Sequence, residues 1–322
     1  MAMTMRNQWR LIGAVSLGIA VATTASAHIG DLPPDNEQPQ AAVEPAVPAD
    51  IGVQIKMSPT VLRLLDDPIL SDAERQRLAV FHGRWSNLDI DALSQNDRAL
   101  LALLKFDLDD PLLNDGQTSP ILRARAAIWR GDMEQVPPLL TAIDLPEASA
   151  LLAEAYDMMG DTPRALAVLH HWLRGDADVA TMSAADQTAM ATMTATLANM
   201  EGRPSRDFKA AMAMLGRAHS EADPTYWRAM IAEADLLFEK GSNAASAEAV
   251  AEALSLNAKS GEAWYRLGML HVAGFNFTEA ATCAKQLRDI NEQHPLAAQL
   301  MAHSYLTQKD PRSALEVLTP VL

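Results

Sequence analysis

A self-similarity with a period of 34 residues constrains this chain more than any other feature. With Gly261 as position 1, Trp264 falls at position 4, Leu267 and Gly268 at 7 and 8, and Ala280 at 20. The next unit begins at Pro295, with Ala302 at 8, Tyr305 at 11, Ala314 at 20 and Leu318 at 24. One unit back, from Trp227, Ala234 is at 8, Leu237 at 11, Gly241 at 15 and Ala253 at 27. A further unit from Pro146 places Ala153 at 8, Tyr156 at 11, Gly160 and Asp161 at 15 and 16, Ala165 at 20 and Leu169 at 24. Self-similarity at such a period is the mark of a stacked repeat architecture.

The spacing has a direct physical meaning. Positions 8 and 20 lie where two antiparallel helices cross, and only Gly, Ala or Ser lets their axes approach to ~8–10 Å. A Gly-Asp or Gly-Ser pair near 15 and 16 ends the first helix in a left-handed turn and caps the second. Large apolar residues at 4, 7, 11 and 24 fill the space between one hairpin and the next. No hairpin buries its apolar face alone, so the units must stack. Composition agrees: 57 Ala against only 5% aromatic residues suits helices packed through small side chains, not a β-sandwich.

The segment Gly261-Glu-Ala-Trp-Tyr-Arg-Leu-Gly268, followed by Phe277-Thr-Glu-Ala280, resembles the tetratricopeptide repeat (TPR) family. The resemblance covers residues 227–322 and 146–175. It implies an all-α fold, a right-handed α-solenoid of stacked antiparallel helix hairpins, with units at 146–179, 227–260, 261–294 and an incomplete 295–322. Residues 180–226 span 47 positions and carry two helical runs, Ala184–Met200 and Ser205–Ala218, around Gly202-Arg-Pro204; they form a degenerate unit. Trp172 and Leu287 at position 27 and His271 at 11 depart from the pattern and imply local repacking. Residues 55–145 read as diverged helical hairpins capping the stack. There Asp66-Asp-Pro-Ile-Leu70 recurs as Asp109-Asp-Pro-Leu-Leu113, each copy leading into a helix.

Residues 1–27 read as an address. Arg6 and Arg10 precede an apolar run from Leu11 to Ala22 and a small-x-small site at Ala25-Ser26-Ala27. The run is too short to span a bilayer, and no Cys follows the site, so the expectation is a cleaved signal peptide and a periplasmic or secreted protein without membrane insertion. Residues 28–54, with five prolines and few large apolar groups, read as a Pro-rich disordered linker. The formal charge is −15, and removing residues 1–27, which hold two Arg and no acid, leaves −17. Such a surface repels phosphate backbones, so no nucleic-acid partner is expected. The last residues, Val317 to Leu322, are not a polar cap. Either the last unit is short or the chain is the front part of a longer protein, and the sequence favours the second.

Patterns for catalysis are missing. There is no His-Glu-x-x-His, no Gly-x-Ser-x-Gly and no Gly-rich phosphate loop. His170 and His171 point about 100° apart on a helix and cannot share a metal. His271 and Cys283 occupy positions 11 and 23 of one hairpin; a reactive pair is conceivable there, but core packing is the expectation. The Asp pairs at 66–67 and 109–110 read as helix caps, and Met190, Met193, Met200, Met212 and Met214 as core filling rather than a sticky groove or soft-metal site. The chain is therefore expected to be no enzyme and to need no cofactor or metal.

In the family that this chain resembles, positions 2, 5, 9, 12 and 13 of each unit line a concave groove. Carried over, these are Glu147, Ala150, Glu154, Asp157 and Met158; Arg228, Ile231, Asp235, Phe238 and Glu239; Glu262, Tyr265, Met269, Val272 and Ala273; and Leu296, Gln299, His303, Leu306 and Thr307. The Lys and Asn that grip a terminal carboxylate in some members are absent at positions 5 and 9. A groove is expected with acids at one end and Tyr265, Met269 and Phe238 toward the other. Its partner would be a protein or peptide carrying basic residues beside apolar anchors, unless these residues are the surface of a spacer. Two alternatives stay open: the repeat region of a longer exported enzyme, such as a zinc peptidase with its catalytic domain beyond Leu322, and an envelope or secretion assembly factor.

Overall fold

A computed structural model describes residues 56–173, 178–202 and 204–321. The expected signal peptide and linker lie outside the described residues. All regular elements described are helical, with no strand among them. None of these helices is long and apolar enough to cross a membrane.

The 34-residue period is visible in the helix starts. The helices α10 (Trp227–Glu239), α12 (Gly261–Ala273) and α14 (Pro295–Thr307) each open a unit, and α11 (Asn243–Leu256), α13 (Phe277–Ile290) and α15 (Pro311–Leu318) pack back on them. Upstream, α6 (Pro146–Met158) pairs with α7 (Thr162–Leu173), and α8 (Ala184–Met200) with α9 (Pro204–Arg217). The longer spacing at 180–226 is absorbed in part by a π-helical turn, Ala218–Ala222, after α9. The first helices also touch one another in order: α6 meets α8, α8 meets α10, α10 meets α12 and α12 meets α14. The result is a solenoid-like stack with one continuous row of first helices.

The small residues sit where the helices cross. Ala153, Ala234 and Ala302 at position 8 and Ala165, Ala280 and Ala314 at position 20 are buried. In the unit from Trp227, the Ser246 hydroxyl at position 20 donates to the carbonyl of Ala234 at position 8, at 2.7 Å. A Cβ on Gly268 would collide with the Leu300 side chain of the next unit, so any side chain there requires Leu300 to shift. The left-handed residue falls at position 15 in all four units: Gly160 and Gly241, with φ of 77°, and then Phe275 at 60° and Lys309 at 61°. The last two adopt without glycine a conformation that costs an L-residue roughly 1–2 kcal/mol.

Residues 56–130 do more than continue the stack. The helices α1 (Pro59–Leu65), α2 (Asp72–Phe81) and α3 (Gln95–Leu104) lead to α4 (Pro120–Arg130) and the short α5 (Val136–Leu140), which pack beside α6. The Asp-Asp-Pro turns join α1 to α2 and α3 to α4, where Asp67 accepts from the Ile69 amide and Asp110 from the Leu112 amide. The segment from Ser58 to Phe106, however, runs across the loops between C-terminal hairpins. Ser58 N–H donates to the Ser255 carbonyl at 2.8 Å. The Phe81 carbonyl accepts from both Trp227 Nε1 and Asn257 Nδ2 at 3.1 Å. Phe106, one unit further along, offers its carbonyl to Asn291 Nδ2 at 3.0 Å. Asn257 and Asn291 stand at the same position of successive units. Val61, Val80, Leu101, Leu104 and Phe106 share one buried core with Trp227, Trp264 and Leu300. These residues form a strap along the loops rather than a cap at one end.

Candidate functional site

Positions 2, 5 and 9 of a helix lie on one face because side chains three, four and seven residues apart align. In α6, α10 and α12 that face lines a single cavity of about 360 Å³. From the sequence-derived groove it gathers Glu154 and Asp157 of α6, Arg228, Asp235 and Glu239 of α10, and Tyr265 of α12. Phe238, Met269, Gln299 and His303 are not part of its wall. Phe238 and Met269 pack against the main core, and the Phe238 ring carries the Arg266 guanidinium at 4.9 Å. From α14 the wall takes Leu296 alone, while burial pushes the imidazole of His303 below its ordinary pKa.

Several wall residues escape a reading of repeat positions. Arg125 and Trp129 come from α4, outside the recognisable units, and Tyr226 from the loop before α10. Arg266 sits at position 6 of its unit, beside the expected Tyr265. The degenerate unit contributes Thr188, Thr192, Thr196 and Asn199, a polar stripe along α8 at helical spacing. The degenerate unit has no repeat register that would place that stripe.

Six carboxylates and three guanidinium groups line the cavity, leaving an excess of three negative charges when all are ionised. The arginines are largely committed. Arg125 Nη2 donates to Glu147 Oε1 at 2.8 Å, and Arg266 is paired with Asp235. Arg228 stacks on the Trp227 ring at 5.2 Å and helps hold the Glu147 carboxyl ionised. Arg125, opposing the desolvation of Glu147, brings that carboxyl below the usual carboxylate range. Glu154 has no such partner. Desolvation lifts it to about 7, Glu262 and Asp157 add like-charge repulsion, and Arg125 only partly offsets them. Asp235 and Glu239 are raised by burial as well.

The other polar clusters explain themselves without chemistry. Cys283 is buried and its thiol is pushed up to about 12 by desolvation, the opposite of what a nucleophile requires. His271, in the same hairpin, is buried as well. His170 faces Glu201 at 3.2 Å and His171 faces Asp144 at 3.8 Å, so the two rings serve different acids. Met190 and Met193 fill a core with Leu169 and Leu197, against which Met200 and Met214 pack. Among the described residues, no cluster of three or more His, Cys, Asp or Glu has the arrangement of a metal site.

Comparison with known families finds no family model that matches this chain, and no curated protein is similar to it at a significant level.

Proposed function

We propose that this protein is a non-catalytic exported scaffold of the tetratricopeptide repeat type, a right-handed α-solenoid that binds a protein or peptide partner carrying basic residues. The observation that carries this reading is the convergence of three first helices on one cavity with an excess of carboxylates. Repeat solenoids use such inner faces for binding because each unit presents the same helix positions to a shared surface. Apolar contact is available from Trp129, Ile231, Tyr265 and Leu296 in the same wall. Export rests on the pattern in residues 1–27, and recovery of a native chain about 3 kDa lighter than 34.8 kDa would support it.

Fluorescence anisotropy with labelled hexapeptides tests the binding function. Peptides with one Lys or Arg flanked by Leu should bind, with affinity falling as salt rises, and the same peptides with Glu in place of the basic residue should not. Equal binding of both series, or of neither, overturns the proposal. The geometry also selects the variants. Reversing Asp235 would leave Arg266 facing a second buried cation, so Glu154→Gln and Glu262→Gln are the cleaner probes.

A further inference from the structure

The cavity is too small for the extended segment that an open groove would take. About 360 Å³ lies near the lower end of the ~300–1,000 Å³ typical of pockets that enclose a small ligand. It also has walls from seven different helices, since α4 bounds it on one side and Leu296 of α14 on another. A cavity of this shape admits one long side chain or one small molecule.

The charges inside it are unevenly satisfied. Near Glu147 the balance is closed by Arg125 and Arg228, and near Asp235 by Arg266. Glu154, from α6, and Glu262, from α12, make no hydrogen bond or ion pair among the described residues, yet repel each other across the cavity. Glu154 is half-buried and its carboxyl lines the open space. An uncompensated acid partly withdrawn from water is costly unless something neutralises it, and such groups gather at functional sites. The groups that bear on Glu154 are Arg125 of α4, Glu262 of α12 and Asp157 of its own helix. Facing it from α8 are only the neutral Thr and Asn side chains. On α7, Arg164 is held by Asp161 and the two histidines by Glu201 and Asp144, away from the cavity.

We infer that the cavity captures a single organic cation, an alkylammonium or guanidinium group on a chain about the length of a lysine or arginine side chain, with Glu154 and Glu262 as its counter-ions. The cation would take the place of the missing partner between two carboxylates, and its methylene chain would lie against Ile231 and Tyr265. This rests on the binding function proposed above and narrows it to one anchoring group.

The test is calorimetric titration of the full chain with Nα-acetyl-lysine N-methylamide, against the neutral isostere Nα-acetyl-norleucine N-methylamide. Only the lysine derivative should bind. Because Glu154 ionises at about 7, binding that needs its charge should be about tenfold tighter at pH 8 than at pH 6. Glu154→Gln should weaken binding and abolish that pH response. Glutamine mimics the protonated acid that the fold already accommodates near neutrality, and an unchanged melting temperature would confirm an intact fold. Glu262→Gln should weaken binding and, by removing a like charge, shift the pH response downward. A parallel titration with 1,5-diaminopentane separates the sources: tighter binding of the diamine marks a free amine as ligand, tighter binding of the lysine derivative marks a side chain on a partner, and either supports the site. Equal binding of the norleucine derivative, no binding of any amine at pH 8, or a pH response that survives in Glu154→Gln overturns it. If the hexapeptides bind while the amines stay silent, the cation site fails and the scaffold stands. If the amines bind and no peptide does, the scaffold fails and the site stands.

Discussion

Lowering the pH from 8 to 5 should loosen the protein through His294, by an amount that the structure allows to be worked out. The ring is buried against Phe106, with centroids 4.1 Å apart. Its Nδ1 accepts from the Leu296 amide at 3.3 Å, capping α14, so the neutral tautomer carries its proton on Nε2, which has no partner among the described residues. Desolvation alone drives its pKa from the ordinary 6.5 to about 3. The folded value is depressed, so the contribution to stability is complete above pH 6.5 and is lost as pH falls from there toward 3. Each pH unit in that window removes about 1.4 kcal/mol while the folded ring stays neutral. Between pH 6.5 and 5 the loss is about 2 kcal/mol. Urea unfolding at pH 8 and pH 5, for the wild type and for His294→Asn, isolates this amount, because Asn keeps the cap without titrating. His82, also depressed by burial, and His219, raised by its bond to Glu233, act equally in both proteins and cancel. The wild type should lose about 2 kcal/mol more than the variant. Equal losses would mean that the ring is accessible to protons and that the strap does not seal it.

Phe275→Gly should raise the melting temperature, with a gain of about 1 kcal/mol, because glycine adopts the left-handed conformation at φ 60° without strain and Phe275 is 70% exposed, so little packing is lost; a lower melting temperature would refute this. Gly268→Ala should cost about 1–3 kcal/mol by overpacking against Leu300, and Leu300→Val should recover part of it, which a double-mutant cycle would read as coupling between the two sites. Cys283 should resist a thiol reagent at pH 8 in the native protein and react at once in urea, since its thiol is buried and lifted to about 12; rapid native reaction would show the hairpin to be open.

Much of the stack was legible because its constraints are local and steric. A small residue at position 8 faces one at position 20 within the same hairpin, and a left-handed residue must follow the first helix whatever lies elsewhere. That is why Ala153 and Ala165 could be set at one crossing from spacing alone, and why Phe275 and Lys309 occupy the left-handed place even without glycine. The inner face followed from the same register, so Glu154, Asp235 and Tyr265 were reachable. Arg125 was not, since α4 precedes the recognisable units and no period assigns it a face.

The strap was hidden for a different reason. Three of its bonds link residues 146 to 185 apart in sequence and are accepted by the main-chain carbonyls of Phe81 and Phe106, groups that every residue carries. The visible half of two of them was an Asn recurring at the end of successive units, at 257 and 291, where side-chain amides commonly cap turns of their own. Both asparagines do that as well, accepting from the Lys259 and Gln293 amides through Oδ1 while Nδ2 reaches the strap. One residue type thus closes the local loop and fastens a distant segment, and only the first duty shows in the sequence. The consequence extends to the cavity. Phe106, anchored by Asn291, lies between His294 and Trp129, whose ring it meets edge-on at 4.7 Å, and Trp129 is part of the cavity wall. The strap therefore fixes one side of the site that the repeats build from the other, so the shape of that site is a property of the whole chain from Ser58 onward and not of the recognisable units alone.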